Sequence, residues 1–78
     1  MSKFNGHKNW NHWNVSLWID NDEGLYRMAQ NFCARYPKVG RENQAVLMLA
    51  RLKDEDITHT PDGAPYSVSS IRAAMVGL

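Results

Sequence analysis

The sequence predicts an all-α fold, a compact single domain of about four short helices over residues 1–78. Three observations lead to this prediction. Apolar residues recur at the 3.6-residue spacing of a helix in several segments. Capping residues and prolines mark where those segments begin and end. Only one segment alternates like a strand, and a lone strand cannot satisfy its backbone hydrogen bonds.

The composition narrows the class of protein. A chain of 78 residues with 44% hydrophobic and 22% charged residues is typical of one small globular domain. Nine Lys and Arg against eight Asp and Glu give a net charge of +1, which excludes a uniformly basic nucleic-acid coat and a uniformly acidic mimic of nucleic acid. The single cysteine allows no intramolecular disulfide, and no apolar run suits a signal peptide or a membrane span. We therefore expect a soluble protein of the cytoplasm.

The first element follows a polar N-terminal arm, residues 1–9. Residues 10–19 hold all three tryptophans and fit either an alternating strand or a helix. Because no other segment of the sequence has a strand pattern, we predict a helix. One face of this helix would carry Trp10, Trp13, Leu17 and Trp18. Large aromatic side chains in so short a chain predict a tryptophan-rich core, with one tryptophan partly exposed at a partner surface.

The second helix has the clearest start signal. Asp20 reads as its N-cap, with Glu23 three residues later in a variant of the capping box. The predicted helix spans residues 22–36 and is ended by Pro37, since the residue before a proline avoids helical geometry. Its predicted apolar face consists of Leu25, Met28, Ala29, Phe32 and Tyr36.

A third helix is predicted from Arg41 or Glu42 to Asp54. The side chains expected to face inward are Ala45, Val46, Leu49 and Leu52. Residues 55–65 are predicted to form a loop with Pro-Asp-Gly as its turn.

Ser67 is predicted to cap the last helix, which Gly77 would end. The apolar stripe of that helix would be Val68, Ile71, Ala74 and Met75.

No catalytic or metal-binding motif is present in the sequence. The candidate metal ligands His7, His12, Cys33 and His59 show neither a Cys-x-x-Cys nor a His-x-x-x-His spacing. Cys33 has no identifiable base that would make it a nucleophile. We therefore expect no metal, no cofactor and no enzymatic activity.

Two sets of residues are candidate contact surfaces. Asp20, Asp22 and Glu23 are explained by helix capping and the helix dipole, but a cap can also contact a basic partner, with Trp10 as an exposed aromatic beside it. The other candidate surface is basic and suits nucleic acid, and its members are Arg51, Lys53, Ser69, Ser70 and Arg72.

The C-terminal half resembles a DNA-binding helical segment of large serine recombinases. The resemblance lies in Ala50-Arg51-Leu52 and in the stretch Ile57-Thr58-His59-Thr60-Pro61-Asp62-Gly63-Ala64-Pro65-Tyr66-Ser67-Val68-Ser69-Ser70-Ile71-Arg72. It implies that Ser69, Ser70 and Arg72 face a DNA groove. Tyr66 stands where tryptophan is usual and Asp62 where a basic residue is common, and the chain lacks the catalytic serine domain, so recombination itself is not expected.

The N-terminal half resembles a family of small phage-encoded proteins of unassigned function. The resemblance lies in Asn5-Gly6, Asn9 and the motif Trp-Asn-Val-x-Leu-Trp-Ile-x-Asn-Asp-Glu-Gly-Leu-Tyr over residues 13–26. Small phage proteins without catalytic motifs often bind and inhibit a protein complex of the host. The chain looks like an anti-CRISPR protein in its small size and its lack of catalytic motifs. This resemblance implies an inhibitor, a monomer or weak homodimer, that binds a protein subunit of a type I CRISPR interference complex and blocks target DNA recognition.

Two other hypotheses remain open. The first is a small DNA-binding helix–loop–helix regulator, which salt-dependent DNA binding would identify. The second is a structural or assembly protein that works as an oligomer, which a concentration-dependent mass would identify.

Overall fold

The computed structural model describes residues 9–76 and confirms the all-α prediction. Its four helices are α1 (Trp10–Asn21), α2 (Glu23–Arg35), α3 (Gly40–Asp54) and α4 (Val68–Met75). Of the predicted N-terminal arm, residues 1–8 lie outside the described part, as does Gly77. Asn9 belongs to the helix instead of the arm, because its side-chain oxygen caps α1 by accepting a hydrogen bond of 3.0 Å from the backbone N–H of His12.

The junction of α1 and α2 differs from the prediction. The N-cap of α2 is Asp22, not Asp20, and the chain leaves helical geometry for that one residue. The Asp22 carboxylate accepts a hydrogen bond of 3.0 Å from the backbone N–H of Leu25. Asp20 stays within α1, which runs on to Asn21. Both aspartates satisfy the local cap pattern, so only the length of α1 distinguishes them.

The core forms where α4 packs against both α1 and α3, while α2 packs against α1 and α3 on another side. Its largest fully buried side chains are Ile19, Met48, Leu52, Ile71, Met75 and Val15. The predicted tryptophan-rich core is therefore wrong. Trp13 and Trp18 are only half-buried, whereas Trp10, at 39% exposure, is the exposed tryptophan that the sequence predicted.

The buried face of α1 explains this difference. It consists of Asn14, Val15, Ser16 and Ile19, which are all much smaller than tryptophan. Helix axes that pack closely are separated by 8–10 Å, depending on the side chains at the contact. Short side chains allow α1 to approach its neighbours closely, and the indoles are left at the borders of the contact.

The predicted inward face of α3 is confirmed for buried Ala45 and Leu52 and for Leu49, which packs against the core, but not for Val46. Its buried residues are Gln44, Ala45, Met48 and Leu52, whereas Val46 is 45% exposed. Tyr36, predicted on the apolar face of the second helix, is exposed as the C-cap of α2 and stacks on Phe32 with 6.2 Å between ring centroids. Apolar spacing identified the buried stripe of α4, where Ile71, Ala74 and Met75 are buried, but it misplaced Val46 on α3 and Tyr36 at the end of α2.

Helix α3 ends with an aspartate in the left-handed conformation. Asp56 has a φ of 59°, its N–H donates to the carbonyl of Lys53 at 3.1 Å, and the N–H of Ile57 donates to the carbonyl of Leu52 at 2.8 Å. This is a Schellman motif, in which glycine is the usual residue at the position of Asp56.

The predicted loop after α3 and the predicted cap of α4 are both confirmed. The chain turns at Pro61-Asp62-Gly63, where Gly63 has a φ of 96° that favours glycine. The Thr60 N–H donates to the Ala64 carbonyl at 2.8 Å, which holds the two sides of the loop together. Ser67 then caps α4 in a reciprocal capping box with Ser70.

Candidate functional site

Acidic side chains from two distant segments meet at one end of the protein. A short connection joins α2 to α3, so the start of α2 lies beside the end of α3, and Asp22 and Glu55 line the same cleft. We call this end the acidic end, and its residues are Asp20, Asp22, Glu23, Asp54, Glu55 and Asp56. It holds six of the eight carboxylate side chains of the chain against the three nearby cations Arg27, Arg51 and Lys53, a local excess of three negative charges that the net charge of +1 conceals.

Helix stability explains only some of these carboxylates. Asp22 caps α2, Glu23 pairs with Arg27, and Glu55 pairs with Arg51.

Asp20 and Asp54 lie instead in the last turns of α1 and α3, where the helix dipole disfavours negative charge. Asp56 occupies a backbone position that glycine fills at lower cost. Each of these three aspartates therefore lowers the stability of the helix end that carries it.

An apolar cleft of about 490 Å³ opens at the acidic end, between α2, the end of α3 and the loop of residues 57–66. Half-buried Leu25, Met28 and Ile57 contribute to its apolar wall, and Tyr66 lies deeper, at 7% exposure. Burial raises the pKa of the Tyr66 hydroxyl above its ordinary value of 10.0, and the negative charge of Asp22 raises it further. The phenol is therefore neutral at physiological pH. We call this feature the α2–loop cleft.

A hydrogen-bonded network holds one wall of the α2–loop cleft. The Asp62 carboxylate accepts hydrogen bonds of 2.9 Å from the Asn14 amide and of 2.9 Å from the Trp18 indole N–H. The Asn14 carbonyl oxygen accepts a hydrogen bond of 2.6 Å from the Thr60 hydroxyl, which in turn accepts one of 3.0 Å from the Ala64 N–H. The network joins the loop to α1 and orients the Trp18 side chain, which lines the cleft.

The sequence does not reveal this network, because Asp62 is recognisable there only as a turn residue at a position where a basic residue is common. The partners lie 44 to 48 residues apart in sequence, so no local pattern connects them. The one indication in the sequence is Asn14 itself, because a polar residue among the large apolar residues of this helix suggests a hydrogen-bonding role.

Asp62 is expected to make stability depend on pH. The Asn14 amide and the Trp18 indole hold the pKa of the Asp62 carboxyl below its ordinary value of 3.8. Because the pKa is lower in the folded state than in the unfolded state, the ionised carboxylate stabilises the fold. This stabilisation is fully present above about pH 4 and is lost as the pH falls through the folded-state pKa. Chemical unfolding midpoints measured from about pH 5 to about pH 2 should fall more steeply for the wild type than for Asp62→Asn. Equal slopes would contradict the assigned hydrogen bonds.

The residues predicted for partner binding are only partly brought together. Asp20, Asp22 and Glu23 all lie at the acidic end. Trp10 begins α1, ten residues before Asp20, which places the two Cα atoms about 15 Å apart along the helix axis. The tryptophan that lies with the acidic residues is Trp18, which lines the α2–loop cleft together with Asp22 and Glu55.

The predicted nucleic-acid set is dispersed. Ser70 is fully buried and its hydroxyl is engaged in the capping box, so the prediction that it faces a DNA groove is wrong. Ser69 is exposed and its hydroxyl lies 2.8 Å from the His12 ring.

The arginines of that set belong to two different surfaces. Arg72 shares a groove with Arg41, whereas Arg51 shares another with Arg27 and Arg35. Exposed Lys53 follows two residues after Arg51 near the end of α3. Arg41 and Arg51 are ten residues apart on α3, about 15 Å, so the predicted set does not form one surface.

Comparison with known proteins identifies a family but no function. A family model described as a family of unknown function, DUF7249, matches residues 1–77. No curated protein and no solved structure matches the chain. Between residues 9 and 76, no helix has the length and apolarity to cross a membrane, and no three potential metal-binding side chains lie together.

Proposed function

We propose that this chain, which belongs to the DUF7249 family of unknown function, is a non-enzymatic inhibitor that binds the basic, nucleic-acid-binding surface of a protein. In its specific form, the protein is an anti-CRISPR inhibitor encoded by a phage or mobile element. Its partner is a protein subunit of a type I CRISPR interference complex in the cytoplasm of a bacterial host. Binding blocks recognition of the target DNA.

The observation that carries the proposal is the acidic end. Asp20, Asp54 and Asp56 are exposed carboxylates that helix stability does not explain. A partner that presents Lys and Arg side chains would neutralise them, and complementary charge both accelerates association and selects the partner.

The same surface gives a mechanism of inhibition. A channel that binds DNA holds the phosphates mainly with Lys and Arg side chains. Carboxylates seated on those cations exclude the phosphates by direct competition. No bond is made or broken, so no catalytic group is required.

The distribution of the cations supports a preferred orientation of approach. Lys38 lies in the connection between α2 and α3, and Arg41 lies in the first turn of α3, which places both at the opposite end of α3 from Asp54. Three other cations, Arg27, Arg51 and Lys53, lie near the acidic end, where six carboxylates outnumber them. A basic partner surface attracts the acidic end and repels the other, although the net charge is only +1.

The test uses a purified type I interference complex and labelled target DNA in a gel-shift assay. Wild-type protein is expected to bind the complex and release the DNA as its concentration rises. Asp20→Lys with Asp54→Lys should weaken this inhibition about tenfold or more, since each change turns an attraction into a repulsion. Both substitutions place a cation at a helix C-terminus, where it is favoured, so the fold is expected to survive.

The control for the change in charge is Glu42→Lys, compared with Asp20→Lys alone. It places a cation at a helix N-terminus, where the dipole disfavours it, so circular dichroism should first show that the variant is folded. It makes the same change in charge near the start of α3, about 18 Å from Asp54 along the helix. Inhibition that falls equally in the two single variants would overturn the role of the acidic end. A salt-sensitive shift of duplex DNA by the protein alone, with no binding to the complex, would favour the DNA-binding regulator instead.

A further inference from the structure

We infer that the α2–loop cleft binds one apolar side chain of a basic segment in the partner protein, with flanking Lys or Arg side chains seated on Asp22 and Glu55. This inference rests on the proposed function, which identifies the partner as a protein with a basic, nucleic-acid-binding surface. It names the segment that the partner must supply.

The apolar part of the cleft is suited to a side chain. Its volume of about 490 Å³ lies within the usual range of ligand clefts, about 300–1,000 Å³. Leu25, Met28 and Ile57 remain half-buried in the free protein, so an incoming apolar group would remove more of their surface from water. The flexible thioether of Met28 adapts to groups of different shape.

The walls are held in place before any partner arrives. The Trp18 indole is fixed through its hydrogen bond of 2.9 Å to Asp62. Tyr66 is 7% exposed and lines the cleft, and its hydroxyl is open to solvent, since no side-chain polar atom between residues 9 and 76 is buried without a partner. A peptide backbone bound in the cleft could replace water as the hydrogen-bond partner of this hydroxyl.

The rim selects a cationic segment. Asp22 lies on the α2 side of the cleft and Glu55 on the α3 side, so positive charges before and after the apolar residue would meet a carboxylate on each side. Glu55 already pairs with Arg51 at 2.9 Å, but both side chains are exposed and such surface pairs contribute little. A partner cation can therefore compete for Glu55. An acidic segment would be repelled by the same rim.

The cleft is tested with two labelled peptides and the intact protein. One peptide carries a leucine between pairs of arginines, and the other carries serine in its place. Fluorescence polarisation is expected to show about tenfold or tighter binding of the leucine peptide, the factor that burial of one such side chain supplies. Asp22→Asn, which keeps the N-cap, should weaken both peptides.

Met28→Gln should remove most of the preference for leucine, since it makes the wall polar while preserving helix propensity. Its control is Leu47→Gln, an exposed apolar position on α3 outside the cleft, which should leave the preference unchanged. Equal affinity of the wild type for the two peptides would overturn the inference.

The inference and the proposed function fail in different ways. If Met28→Gln still inhibits the interference complex fully while Asp20→Lys with Asp54→Lys does not, the cleft is not used and the proposed function stands. If the cleft prefers the leucine peptide but the protein never binds the complex, the proposed partner is wrong and the cleft assignment stands.

Discussion

Met48→Ala is expected to lower the free energy of unfolding by about 3 kcal/mol, the middle of the range for truncating a buried methionine. Met48 lies on α3 and is fully buried in the hydrophobic core. Alanine removes its contacts and leaves a cavity that neighbouring side chains fill only in part. In a domain of this size that is a large share of total stability. Chemical unfolding followed by helical circular dichroism measures the change.

Val46→Ala is the matched control on the same helix, two residues away. Val46 is 45% exposed, and alanine has the higher helix propensity, so we expect a change within about 0.5 kcal/mol. The sequence pattern placed Val46 inside and did not include Met48. A larger loss for Val46→Ala than for Met48→Ala would show that α3 is rotated relative to the structure.

Asn14→Ala is expected to lower the free energy of unfolding by about 2–3 kcal/mol. The substitution removes the acceptor of the buried Thr60 hydroxyl and one of the two side-chain donors to Asp62. A buried polar group without a partner bears its full desolvation cost. The indole N–H resonance of Trp18 should also shift in the NMR spectrum, because its acceptor Asp62 loses its second contact to α1.

Two comparisons test this prediction. Asn31→Ala, an exposed change in the middle of α2, should alter stability by no more than about 0.5 kcal/mol. Asn14→Ala combined with Thr60→Val should cost clearly less than the sum of the single changes, because both break the same network. Strict additivity would mean that the two side chains do not act as a unit.

Part of the candidate site could be predicted from the sequence. Asp20, Asp22 and Glu23 stood out because carboxylates next to a helix start have a known effect. The short connection between the second and third helices is typical of antiparallel neighbours, an arrangement that brings Asp54 toward Asp22. The apolar cleft could not be predicted, because its walls come from α1, α2, the end of α3 and the loop.

The sequence by itself determined the all-α class, the end of α2 before Pro37, the turn at Pro61-Asp62-Gly63 and the cap at Ser67. Each of these depends on backbone geometry and hydrogen bonds within a few residues, which local side chains control. Only the tertiary structure decided that Ile19 is fully buried while Trp13 and Trp18 are half-buried, and that the two acidic segments meet. Burial and long-range charge depend on which helices become neighbours, and residues far apart in the chain decide that together.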